Sequence, residues 1–172
     1  IALNKQSKNS EVTYVKSKHN NKSYLVRNVE DKQQAADLLA RIATNLQLIV
    51  DDVYENDSER DGASRMKRKF NMDNISESEP GSKYTSYSVN KGEKLVFCLR
   101  SKDDKQKLSD LNLMMFVAIH ELAHIMTKSV GHTDEFWENM RYLLKDGISI
   151  GVYKNHDYNN HPKDYCGTKI TD

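Results

Sequence analysis

The stretch LNLMMFVAIHELAHIMTKSVGHTDEFW, residues 111–137, is apolar on nearly every side through Met126, yet it carries His120, Glu121 and His124 inside that run. Ser109 or Asp110 can cap its start, so the pattern predicts a buried central helix. Unpaired polar groups in an apolar interior cost several kcal/mol each, and one bound dication would offset the cost for all three. His120 and His124 stand one helical turn apart on one face, so both imidazoles can reach a single ion at about 2.0–2.1 Å. Glu121 projects about 100° further round. It is too far aside for a third direct ligand and well placed to take a proton from a water on the metal.

An ion that does chemistry takes three protein ligands and keeps one position open. The expected third ligand is His132, which follows Gly131, where the chain can end the helix and fold back. Glu135 and Glu138 on the next segment are the alternatives. Zinc is the first choice for this donor set, although cobalt or manganese could occupy the same site in vitro. Phe136, Trp137, Met140, Leu143 and Leu144 continue at helical spacing and are expected to pack on the metal helix.

Upstream, Glu11 to Ser17 and Lys22 to Asn28 alternate as a β-hairpin would. From Asp31 the period changes to three and four residues, through Ala35, Leu38, Leu39, Ile42, Leu46, Ile49, Val50 and Val53. This predicts an amphipathic helix of about 25 residues, with Asp31 and Gln34 forming a capping box. Residues 57–83 are polar, with Gly62, Pro80 and Gly81 as breakers, and read as an excursion over the surface. Within it the basic run Arg65–Lys69 reads as a solvated face, with a nucleic-acid or acidic-partner contact as the alternative. Tyr84 to Asn90 and Glu93 to Arg100 form a second hairpin candidate around Gly92. The tail 148–172 holds Tyr153, His156, Tyr158, His161 and Tyr165, each expected as a surface or packing residue, with oxyanion support by one of them as the alternative.

The chain of 172 residues is the size of one domain, and its 26 basic and 25 acidic residues leave a net charge of +1. No general field draws it to DNA or anionic lipid. No run approaches the roughly 20 apolar residues of a membrane span. The chain starts at Ile1 and not at methionine, consistent with an upstream anchor, signal or pro-segment that has been removed. Two cysteines, Cys98 and Cys166, are too few for a disulfide framework, which favours a reducing compartment, with a single disulfide as the alternative.

The segment from Tyr84 to Leu144 resembles the WLM family of zinc metallopeptidases and, more loosely, their SprT-like relatives, through SVNKGEKLVFCLRSKDD, HELAH and GHTDEFW. The resemblance implies that His120, His124 and His132 hold zinc, that Glu121 is catalytic, and that the strand before the helix flanks a cleft where an extended substrate pairs. Seven residues, Ile125 to Gly131, separate the second and third histidines, two more than the family commonly has. SRMKRKFNMDNISE and HPKDYCGTKI look like short WLM-like proteins of large DNA viruses, which implies a virion component or virion partners. The family is associated with proteolysis of proteins crosslinked to DNA, but its DNA-binding and partner-binding extensions are not recognisable in this chain.

Together these readings predict a single α+β, zincin-like domain over 1–172: a small sheet, a long N-terminal helix, a central HExxH helix and a following packing helix. The core motif region is 84–144. The expected function is zinc-dependent hydrolysis of peptide bonds in a protein or peptide substrate, with Glu121 as general base, inside a cell or a virion. The alternatives are a structural or interaction protein that keeps the fold, and a deformylase-like hydrolase with Cys98 or Cys166 as the third ligand.

Overall fold

The computed structural model describes residues 11–171. The first alternating segment forms the antiparallel hairpin β1 (Val12–Lys16) and β2 (Ser23–Arg27). The helical period that follows forms α1 (Lys32–Asn56), with Ala35, Leu39, Ile42, Leu46, Ile49 and Val53 buried along one face. The capping box is not formed. Asp31 makes no side-chain cap, because its carboxylate accepts from the buried Arg100 guanidinium at 2.6 Å. With charge on both donor and acceptor, that bond is stronger than one from a neutral backbone N–H to the same carboxylate.

The polar segment 57–83 is not wholly a surface excursion. It contains α2 (Ala63–Lys69) and β3 (Ile75–Glu77), and it buries Ala63, Met66, Phe70 and all of β3. The reason lies outside the segment. The Glu77 carboxylate accepts from Arg27 N at 2.8 Å and from Arg100 Nε at 2.7 Å, so partners distant in sequence satisfy a charge that local composition would send to solvent. The second hairpin, β4 (Ser86–Val89) and β5 (Lys94–Phe97), joins β3 in a mixed sheet of order β3-β5-β4, with β3 parallel and β4 antiparallel to β5.

Asp110 caps α3 (Leu111–Met126) by accepting from Leu113 N at 2.9 Å. Met114, Ala118, Ile119, Leu122 and Ile125 of α3 are fully buried. The helix is packed against α1, α2 and α4 (Asp134–Ser149) and touches β4. Thr133 caps α4. A short hairpin, β6 (Lys163–Tyr165) and β7 (Thr168–Ile170), closes the described chain. The architecture is α+β, and no helix among the described residues is long and apolar enough to cross a membrane.

Cys98, just after β5, and Cys166, in the β6–β7 turn, form a disulfide with their Cα atoms 6.2 Å apart. The single-disulfide alternative is the one the structure takes. Because 68 residues separate them, the link closes a long loop and should restrict the unfolded chain strongly. Replacing both cysteines by alanine is expected to lower stability by about 2–4 kcal/mol, read as a shift of the urea midpoint. An unchanged midpoint would show that the link contributes nothing to the fold.

Candidate metal centre

Helical spacing alone brings His120 and His124 to one face of α3, with ring centroids 5.0 Å apart. The loop after α3 then returns His132, whose ring lies 5.0 Å from His120 and 5.1 Å from His124. Gly131 makes that return with φ +87°, a conformation that a Cβ would strain. One donor atom from each of the three histidines lies within 4.8 Å of the others, and His120 Nε2 and His132 Nε2 are 3.1 Å apart. Two nitrogens on a tetrahedral ion at about 2.0–2.1 Å would stand about 3.3–3.4 Å apart. The donor set and its spacing therefore fit zinc, with a fourth position left to the cleft.

Burial pushes the pKa of His120 down to about 4, helped by His124 and His132, and burial with His132 and Lys91 does the same to His124. Both imidazoles are thus neutral near pH 7, the form that binds metal. Glu121 is buried and its carboxyl is pushed up to about 8 by desolvation. A dication beside it would offset that desolvation and favour the carboxylate. Phe136, fully buried on α4, stacks on His124 at 4.3 Å and sets the plane of that ring.

The alternative ligands go elsewhere. Glu135 Oε1 accepts from Ser129 N at 3.0 Å and Ser129 Oγ at 2.7 Å, fastening the loop, and Glu138 is exposed and outside the triad. Cys98 and Cys166 are bonded to each other, which removes the thiolate ligand that a deformylase-like site would need. Met140 and Leu143 pack in the core as expected, but half-buried Trp137 also lines the cleft, 5.5 Å from the His132 ring.

That cleft, about 800 Å³, has the triad and Glu121 in its wall, β4 along one side and β7 near another. Of the five tail candidates for oxyanion support, Tyr165 alone lines it, with its hydroxyl bonded to Ser86 Oγ and its pKa raised by burial. Tyr158 is buried against Phe116, and His156 Nε2 pairs with His161 O at 2.9 Å. The basic run of α2 is partly used internally: Met66 is buried, Arg65 donates to Met126 O at 2.5 Å, and Lys67 pairs with Asp51 at 2.6 Å.

Two side chains at the site were not singled out from the sequence: Lys91, which reaches the loop carrying His132, and Ser86, which holds Tyr165. The only signal for Lys91 was its place in an Asn-Lys-Gly turn, which says nothing of the helix end it faces.

A histidine pair on a buried helix, a glutamate between them and a third histidine from the next loop form an HExxH arrangement whose three imidazoles could hold one metal ion. The chain belongs to the WLM family, whose domain matches residues 61–172. It is 38% identical over 172 residues to uncharacterized protein R325 of Acanthamoeba polyphaga mimivirus, covering 98% of this chain and 86% of that one. It is 24% identical over 160 residues to uncharacterized protein 136R of Invertebrate iridescent virus 6, covering 90% and 87%. The fold is similar to that of Wss1 from Saccharomyces cerevisiae, with a TM-score of 0.53 at 21% identity over 70% of this chain and 82% of that one.

In the metal-free protein, Glu121 keeps its proton between pH 4.5 and about 8 when folded and releases it when unfolded. Its contribution is thus fully present below about 4.5 and lost as pH rises through about 8. Denaturation in chelator should show the wild type losing stability relative to Glu121→Gln across that window, at up to about 1.4 kcal/mol per pH unit. Parallel curves for the two proteins would contradict this burial.

Proposed function

We propose that this protein is a zinc-dependent endopeptidase that cleaves protein substrates bound in extended form. The observation that carries the reading is the convergence of His120, His124 and His132 beside a buried Glu121 on a cleft lined by Thr85–Ser88. β4 is the outer strand of its sheet, so its free edge can hydrogen-bond an extended peptide alongside the triad. Membership of a metallopeptidase-type family supports the same conclusion.

When bound, the zinc supplies Lewis acidity, lowering the pKa of a water and polarising the scissile carbonyl. The residues then divide the proton work. Glu121, in the cleft wall, accepts a proton from the attacking water and returns it to the leaving nitrogen. Tyr165, oriented by Ser86, donates its hydroxyl hydrogen bond to the oxygen on which negative charge develops. Trp137 and Phe116 offer apolar surface beside the triad for a substrate side chain.

The viral relatives support reading the chain as a virus-encoded protein. Zinc-loaded wild type is expected to cleave casein with one zinc per chain. Glu121→Gln should keep the zinc and lose about 10²-fold or more in rate. Tyr165→Phe should cost about 10²-fold in kcat with little change in KM. Zinc in the wild type without cleavage of casein or a peptide library would favour a protein that keeps the fold as a scaffold, such as a virion component.

A further inference from the structure

Lys91 is the middle residue of the Asn90–Lys91–Gly92 turn between β4 and β5, and all three residues have positive φ, at 48°, 50° and 111°. The turn sits on the C-terminal end of α3, so closely that a Cβ on Gly92 would meet Ile125 Cδ1 at 3.0 Å. From there Lys91 Nζ donates to Thr127 O at 2.6 Å, Ser129 O at 2.6 Å and Lys128 O at 3.3 Å. An ammonium has three donors, and these carbonyls take all of them. They belong to the first three residues of the loop that ends at His132.

The far half of that loop has little else to hold it. Val130 is 84% exposed, a Cβ on Gly131 would meet nothing within 4 Å, and His132 itself is exposed. His120 and His124 are fixed by a helix inside the core, whereas exposed His132 has ring contacts with Phe136 at 5.0 Å and Trp137 at 5.5 Å but lies on a loop. Its position depends on polar fastenings upstream: Lys91 on the three carbonyls, Arg65 on Met126 O, and Glu135 on Ser129.

We propose that Lys91 is a positioning residue for the third histidine: by clamping the carbonyls of residues 127–129 it holds His132 at the metal, and so sets how tightly the chain keeps that metal. This rests on the three histidines being a metal centre and not on peptidase activity. Charge alone makes the opposite forecast. A lysine near His124 opposes a second positive charge there, so removing it should strengthen binding of a dication. The clamp requires the reverse.

The test is competition of purified protein with a chromophoric chelator for zinc, beside the melting temperature of each metal-free protein. Lys91→Met is expected to bind zinc about 10–100-fold more weakly, the usual cost of losing a group that orients a ligand. Lys91→Arg, which can still donate to several carbonyls, should recover most of the affinity. Lys169→Met removes a different cation from the cleft and should not weaken binding. Affinity lost in Lys91→Met, with the metal-free melting temperature unchanged, supports the clamp. Equal or tighter zinc binding overturns it, as does a loss matched by an equal fall in metal-free stability. If Lys91→Met does not fold, Lys91→Gln is judged by the same criteria. A wild type that binds no zinc overturns the metal centre and this inference with it.

Discussion

The structure depends on one constraint: α3 is almost entirely inside the protein, yet it must carry two imidazoles and a carboxyl. Desolvation holds His120 and His124 neutral and drives Glu121 toward its protonated form, so the metal-free site gathers two uncharged imidazoles and an uncharged carboxyl. A single dication would suit all three groups, because neutral histidines are its ligands and a carboxylate is stabilised beside positive charge. The apolar packing that buries α3 therefore also leaves a place that a dication would suit, with two candidate ligands fixed to within the tolerance of a helix.

The C-terminal end of α3 is where the rest of the fold converges. Arg65 from α2 meets Met126 O, Lys91 from the β4–β5 turn meets the next three carbonyls, and Asn139 from α4 bonds Thr127 Oγ1 at 2.8 Å. A helix end leaves carbonyls without partners, and here α2 and the β4–β5 turn supply them, while α4 holds the Thr127 hydroxyl. The cations also suit the negative end of the helix dipole. On the opposite side of the cleft, the Cys98–Cys166 link ties the turn beside Tyr165 to the strand that precedes α3.

Much of this was legible because it is local. The period of residues 35–53, the apolar run 111–126 and the alternation in both hairpins each announce an element through neighbours a few residues away. His120, Glu121 and His124 could be read for the same reason, and His132 because a glycine before it marks the turn. What escaped was non-local. β3 looks polar until Arg27 and Arg100, 50 and 23 residues distant, are seen to pair with Glu77. Asp31 reads as a cap until Arg100 claims it from 69 residues away. The disulfide, the Ser86 contact that holds Tyr165 at the cleft, and the reach of Lys91 all join segments that no short window contains.

X-ray absorption at the zinc edge of the loaded wild type tests the central claim most directly, since it reads the ligand set without requiring a substrate. Three imidazole nitrogens at about 2.0–2.1 Å with one further oxygen is the result predicted here. A sulfur ligand at about 2.3 Å, or a shell with fewer than three imidazoles, would contradict a centre built from His120, His124 and His132.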